Sequence, residues 1–203
     1  MNRVECGKLL LTRTIKPVEQ SEQPSQPAVA PPSGLRVLHS WVRDFFFSIV
    51  VSFFIILFVY QPVKVEGGSM EPGLEDQERI FINKMVYHWE SIERGDIIVF
   101  RYPRDTRKSF IKRVIGLPGD DVRISRGRVY VNGKLIVEAY VPPEYEDLRS
   151  YPETYIPANT YFVLGDHRSM SNDSRDFGPV NRSYIYGKAV FGYWPVDKLG
   201  VLR

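Results

Sequence analysis

The chain has 203 residues, of which 43% are hydrophobic and 25% charged, with a formal net charge of +3. That length suits one folded domain with appendages, and so small an excess of positive charge gives no footing for nucleic acid as a partner. One cysteine, Cys6, excludes an internal disulfide, and three histidines without ligand-like spacing offer no metal site, so neither metal nor cofactor is expected.

In chain order, residues 1–40 come first, rich in Pro, Ser and Gln (EQSEQPSQPAVAPPSG) and without apolar periodicity, which predicts a disordered tail. Phe45 to Tyr60, FFFSIVVSFFIILFVY, is apolar apart from two serines, and with its flanks it predicts a transmembrane helix over residues 41–61. A buried helix of a soluble core seldom stays apolar on every face for so long. A cleaved leader would need small residues at a cleavage site, and QPVKVEGGSM stands there instead. The run therefore reads as an uncleaved anchor, with Trp41 and Tyr60 spaced as aromatic interface residues and the lipid bilayer as a partner. Arg36 and Arg43 before the span and Lys64 after it give only a slight charge bias, so the charges leave its orientation open.

Beyond Pro62, short β-prone runs alternate with turn residues, and the class is mostly β. Strands are predicted at Arg79 to Lys84, Asp96 to Tyr102, Ser109 to Ile115, Arg128 to Val131, Lys134 to Val137, Tyr161 to Leu164 and Ile185 to Tyr193. Asn132-Gly133 favours the two positive φ values of a type I′ turn, so VYVNGKLIV predicts a hairpin. Leu117-Pro118-Gly119-Asp120 predicts a further turn, and the Pro- and Tyr-rich stretch from Tyr140 to Ala158 an irregular connection. Together these give a β-barrel-like core over about 62–116 and 159–203, with an inserted smaller hairpin region over about 117–158.

Three segments could carry chemistry. Glu66-Gly67-Gly68-Ser69-Met70-Glu71-Pro72 sets glycines before a serine, which lets the hydroxyl sit exposed on a sharp turn, although most such segments are only turns. In Phe110-Ile111-Lys112-Arg113-Val114-Ile115-Gly116 a lysine interrupts an apolar strand, and period-2 alternation puts Phe110, Lys112 and Val114 on one face with Arg113 on the other. Such a lysine either reaches past a sheet edge to water or is a desolvated amine whose lowered pKa lets it act as a base. The third segment, LGDHRSMSNDSRD from Leu164, is a polar loop after a strand, either functional or held by its own local bonds.

Taken together and in this order, GGSMEPGL, RGDIIVFRYP, FIKRVIGLPGD and LGDHRSMSNDSRDFGPV resemble the type I signal peptidase family of Ser/Lys-dyad serine proteases, over the anchor and nearly everything from Pro62 to Trp194. The resemblance implies a membrane-bound serine endopeptidase that removes signal peptides from exported preproteins after small residues, at A-x-A sites. It implies Ser69 as nucleophile, Lys112 as general base, Ser171 as the hydroxyl that helps hold the lysine, and Asp173 with Arg175 as the pair that fixes the loop. Met70 matches a residue packed beside the nucleophile, and Gly165 and Asp166 match the opening of the loop. The resemblance also implies a single-pass protein of the plasma membrane, or alternatively the thylakoid membrane. Its N-terminus would lie in the cytoplasm and its catalytic domain, residues 62–203, outside.

The sequence departs from the commonest bacterial pattern at several positions. Gly67 stands where some members carry a serine that assists the oxyanion hole, so the hole must rely on backbone N–H groups, chiefly that of Ser69. His167, Ser169, Met170 and Gly73 replace residues that are commonly Asn, Asp, Asn and Thr. Substrate is expected as an extended strand against Val63, Val65, Phe110 and Ile111. Competing readings are a Ser/His pair using His167, a self-cleaving regulator with the same dyad, and an anchored β-domain without activity. Lys112 in the lysine position weighs against the first, the apolar span against the second, and the presence of both Ser69 and Lys112 against the third.

Overall fold

The structure, a computed structural model, describes residues 34–202; of the disordered tail expected over residues 1–40, residues 1–33 lie outside the described residues, and 34–40 are helical instead. Helix α1, Gly34–Val59, contains a stretch, Leu38–Val59, long and apolar enough to cross a membrane. Those 22 residues rise about 33 Å at 1.5 Å each, close to the thickness of a bilayer's hydrocarbon core. The helix begins at Gly34 rather than at Trp41, and ends at Val59 rather than at Gln61. Pro62 explains the earlier end: it disfavours helical geometry in Gln61, and Tyr60 to Lys64 become strand β1. As an edge strand β1 tolerates a proline without an N–H. The chain divides between Asp44 and Phe45 into two units, and all the strands belong to the second.

The larger sheet contains β1 (Tyr60–Lys64), β2 (Arg79–Asn83), β3 (Ile97–Tyr102), β4 (Asp105–Gly116), β9 (Thr160–Leu164), β10 (Val180–Asn181), β11 (Ile185–Trp194) and β12 (Gly200–Val201). Its order is β1-β2-β11-β3-β4-β9-β10, with β12 alongside β11, and every pairing is antiparallel. Four antiparallel steps separate β1 from β4, so these two strands run in the same direction. Both line one cleft despite the three strands between them, so the sheet is curled.

Between β4 and β9 the chain builds a second sheet of order β7-β6-β5-β8, from β5 (Asp121–Ser125), β6 (Arg128–Val131), β7 (Lys134–Leu135) and β8 (Tyr151–Tyr155). The Asn132-Gly133 hairpin forms as expected, with φ of 50° and 75° at its two central residues. Two strands here differ from the sequence reading. Residues 151–155 form β8, where an irregular connection was expected; Pro152 is accommodated because β8 is an edge strand. Strand β5, absent from the sequence reading, buries Val122 and Ile124 in strict alternation.

One apolar cluster joins the two sheets. Ile115, Phe162 and Leu164 of the larger sheet pack with Val122, Ile124, Val129 and Val131 of the smaller one and with Ile156. A Cβ at Gly116 would come within 2.6 Å of Val122 Cγ2 and 2.9 Å of Phe162 Cβ, so that position takes glycine because the sheets approach so closely there. Phe162→Ala should therefore lower the unfolding free energy by about 3–5 kcal/mol, measured by urea denaturation of the detergent-solubilised chain. Tyr155→Ala, at an exposed ring on the edge strand β8, should change it by less than about 0.5 kcal/mol.

Candidate active site

Ser69 lies in the turn that leaves β1. The base of the turn is closed by Val65 N–H donating to Glu78 O at 2.7 Å and Gln77 N–H donating to Val65 O at 3.0 Å. Gly67, at a φ of 89° that favours glycine, donates its N–H to Asp76 Oδ1 at 2.8 Å, which holds the Asp76 carboxyl below its usual range. Glu71 N–H donates to Gly68 O at 3.1 Å and Leu74 N–H to Met70 O at 2.9 Å, while Met70 and Leu74 are buried beneath the turn. The Ser69 side chain is left half-buried, and its main-chain N–H makes no hydrogen bond among the described residues.

Lys112 reaches this serine from β4, with Nζ 2.6 Å from Ser69 Oγ. The lysine is 3% exposed, its amine 5.4 Å from the centre of the Phe110 ring. Burial pulls its pKa down from 10.5 to about 8, against the opposing pull of the Asp173 and Asp166 charges and with a further small push from Arg175. At that value about a tenth of the amines are uncharged at pH 7, several hundred times the share of a free lysine. The alternative of a lysine reaching for water is therefore not what the fold provides.

The loop after β9 encloses the pair. Asp173 accepts from Arg175 Nε and Nη2, each at 2.8 Å, and from Gly165 N at 3.1 Å. It also caps the short helix α2, Ser174–Phe177. Burial alone would raise the Asp173 carboxyl, but these bonds outweigh it and hold it below the usual carboxylate range. Ser171 Oγ is buried beside this carboxylate and satisfies no hydrogen-bond geometry among the described residues. The expected bond from Ser171 to the lysine is thus not formed here, where the amine faces Ser69. A Cβ at Gly165 would overlap both Ser171 Oγ and Ser69 O, so the loop can approach Ser69 only through a glycine there.

Val63, Val65, Phe110 and Ile111, the four expected substrate-binding residues, line one cleft of about 480 Å³ with Ser69, Lys112 and Gly67. Val99, Tyr186, Met170 and Asn172 are also among its lining residues. Two free strand edges face this space. β1 has β2 as its strand partner, and β9 pairs β4 only over Arg113 to Gly116, leaving Ser109 to Lys112 without a neighbour on that side.

Several surrounding groups escaped the sequence reading. Arg113, on the strand face opposite Lys112, forms a buried pair with Asp166 at 2.6 and 2.9 Å and lies 4.1 Å over the Tyr140 ring. Arg168 pairs with Glu138 at 2.7 and 2.8 Å, Arg175 with Asp147 at 2.7 Å, and Arg149 donates to Arg168 O at 2.9 Å. Alternation along β4 already separated Arg113 from Lys112, but nothing local in the sequence identifies partners in the segment between β7 and β8.

Comparison with known proteins fits this geometry. A family model described as "Signal peptidase, peptidase S26" matches residues 38–194. The chain is 39% identical over 189 residues to a signal peptidase I of Leptolyngbya laminosa, covering 88% of this chain and 91% of the relative. It is 42% identical over 163 residues to the probable signal peptidase I-2 of Synechocystis sp., covering 76% of this chain and 72% of the relative. A solved signal peptidase I of Enterococcus faecalis V583 is 32% identical, covers 49% of this chain and 97% of its own, and gives a TM-score of 0.43.

The depressed Lys112 pKa has a signature in stability. Between pH 8 and 10.5 the unfolded chain holds a proton on this lysine that the folded chain has lost, so raising the pH through that window favours folding. The fall from 10.5 to about 8 corresponds to roughly 3 kcal/mol, absent from Lys112→Met. Urea denaturation of wild type and Lys112→Met at pH 7 and pH 10.5 should show the variant more stable at pH 7 and the difference shrinking at the higher pH.

Proposed function

We propose, for a chain that belongs to the signal peptidase family and is a serine peptidase acting on signal peptides, that Ser69 and Lys112 carry out the cleavage as a catalytic dyad. The observation that carries this reading is a buried amine 2.6 Å from a serine hydroxyl at the floor of a cleft with two free strand edges. Uncharged Lys112 accepts the Ser69 proton as Oγ attacks the scissile carbonyl, and the new C–O bond leaves a tetrahedral oxyanion that accepts from the Ser69 main-chain N–H. As the C–N bond breaks, the Lys112 ammonium returns that proton to the departing amine. Water, deprotonated by the same amine, then opens the acyl ester and regenerates Ser69.

The substrate enters as an extended strand between the edges of β1 and β4, parallel to both, its main chain bonding to the sheet. The segment before the scissile bond lies along Val63 and Val65 on one side and Phe110 and Ile111 on the other. These side chains leave shallow apolar room for small residues, which supports cleavage at A-x-A sites. Gly67 lets the substrate backbone approach Ser69, Met70 supports the nucleophile from below, Asp173 and Arg175 hold the loop against the lysine, and Ser171 supports the lysine from that loop.

The apolar stretch Leu38–Val59 is the anchor, crossing the membrane once. The tail lies on the cytoplasmic side, and the catalytic domain, residues 62–203, lies outside, where exported preproteins emerge. Cyanobacterial relatives suit a plasma or a thylakoid membrane. Within the domain the core is 62–116 with 159–203, and 117–158 is an insertion.

Incubation of the detergent-solubilised chain with a preprotein bearing an A-x-A site should release the mature protein, and Ser69→Ala or Lys112→Ala should each abolish release. Because the base is the uncharged amine, kcat/KM should rise about tenfold per pH unit below 8 and level off above it. Full activity at mildly acidic pH, or activity that survives Lys112→Ala, would refute the dyad.

A further inference from the structure

We infer that His167 is a positioning residue that aims the Ser69 main-chain N–H into the cleft by gripping the other end of the same peptide group. The inference rests on the dyad reading and adds to it a part for a residue that the dyad does not use.

Gly68 and Ser69 are joined by a trans peptide, in which the C=O and the N–H point in opposite directions across one rigid plane. The direction of the Gly68 carbonyl therefore fixes the direction of the Ser69 N–H. His167 Nδ1 lies 3.2 Å from Gly68 O. A carbonyl oxygen can only accept, so Nδ1 carries the hydrogen and donates it. The same residue's main-chain N–H donates to Ser69 O at 3.2 Å, so His167 holds the carbonyls on both sides of the nucleophile.

The imidazole is itself fixed. It is 10% exposed and packs edge to face against Tyr145, with ring centres 4.3 Å apart. The Tyr145 carbonyl accepts the Ser169 N–H at 3.3 Å, which ties the tyrosine back to the loop that carries His167. Glu71 Oε2, at 3.8 Å from Nδ1, is beyond hydrogen-bond reach and does not compete for the hydrogen. Gly68 O also accepts from Glu71 N–H within the turn. One such bond leaves the peptide plane free to tilt about it, whereas a second donor from the opposite loop removes that freedom. On the far side of the plane the Ser69 N–H is without an acceptor among the described residues, as a group reserved for a developing oxyanion must be.

The test compares the full-length chain with His167→Ala, His167→Asn and His167→Gln on one peptide substrate carrying either an amide or a thioamide at the scissile bond. Sulfur is the poorer hydrogen-bond acceptor, so the rate ratio of amide to thioamide reads the oxyanion contact. His167→Ala should lower kcat about 10- to 100-fold, with KM changed less than about threefold, and should reduce that ratio. Asn places its amide N–H where Nδ1 stands and should restore both kcat and the ratio, whereas Gln, whose amide reaches further out, should not. The inference is overturned if His167→Ala keeps kcat within about threefold of wild type, or if kcat falls with the ratio unchanged. If His167→Ala does not fold, Asn against Gln decides, and equal behaviour of those two overturns it. Ser69→Ala and Lys112→Ala run beside them: activity in either overturns the dyad and this inference with it, whereas their silence beside an unaffected His167→Ala overturns this inference alone.

Discussion

An amine whose hold on its proton is weakened by burial beside a hydroxyl is the constraint on which the rest of this structure depends. Lys112 loses most of its contact with water in β4, and that loss brings its proton affinity toward neutrality. An unpaired carboxylate nearby would restore the ammonium form. The two carboxylates that surround the site, Asp173 and Asp166, are instead each gripped by two nitrogens of an arginine, Arg175 and Arg113. Both carboxylates still pull the lysine toward its ammonium form, and burial outweighs them, with the Arg175 charge opposing that pull. The buried arginines are in turn satisfied by further acceptors, Gly95 O for Arg113 and Arg168 O for Arg175.

The loop from Gly165 to Arg175 joins these demands. One end approaches Ser69 so closely that only a glycine fits, and the other caps α2 through Asp173. Its middle is fastened from outside by Glu138, Asp147 and Arg149, all from the segment between β7 and β8. The smaller sheet is thus mechanically coupled to the site although neither Ser69 nor Lys112 belongs to it. Its apolar contact with Phe162 and Ile115 sets the base from which those charged side chains reach the loop.

Much of this was legible in the sequence, and for identifiable reasons. β3, the turn at Asn132-Gly133 and the core of β9 follow from short β-prone runs bounded by turn residues, which are local signals. The positions of Ser69 and Lys112 came from the order of motifs, since 43 residues separate the two and no local rule brings them together. β5 was present as alternation in DVRIS and went unread, while β8 was hidden because Pro152 reads as a breaker until its place at a sheet edge is known. The pairs Arg113–Asp166 and Arg168–Glu138 were not legible, because each depends on a crossing of chain segments that only the assembled sheets specify. His167 was weighed as a rival base for the serine; the structure turns its imidazole to the Gly68 carbonyl and sets Lys112 at the hydroxyl.

α1 passes into β1 without an intervening residue, and the Lys84 N–H donates to Val59 O at 3.0 Å, stitching the end of the helix to the residue just after β2. Ten residues then lead from Val59 to Ser69, a span that even full extension limits to about 35 Å. Were α1 seated in a bilayer as proposed, this short tether would keep Ser69 within that distance of the helix end, so the depth at which a passing chain leaves the membrane, as much as its residues, would select which bond is presented for hydrolysis.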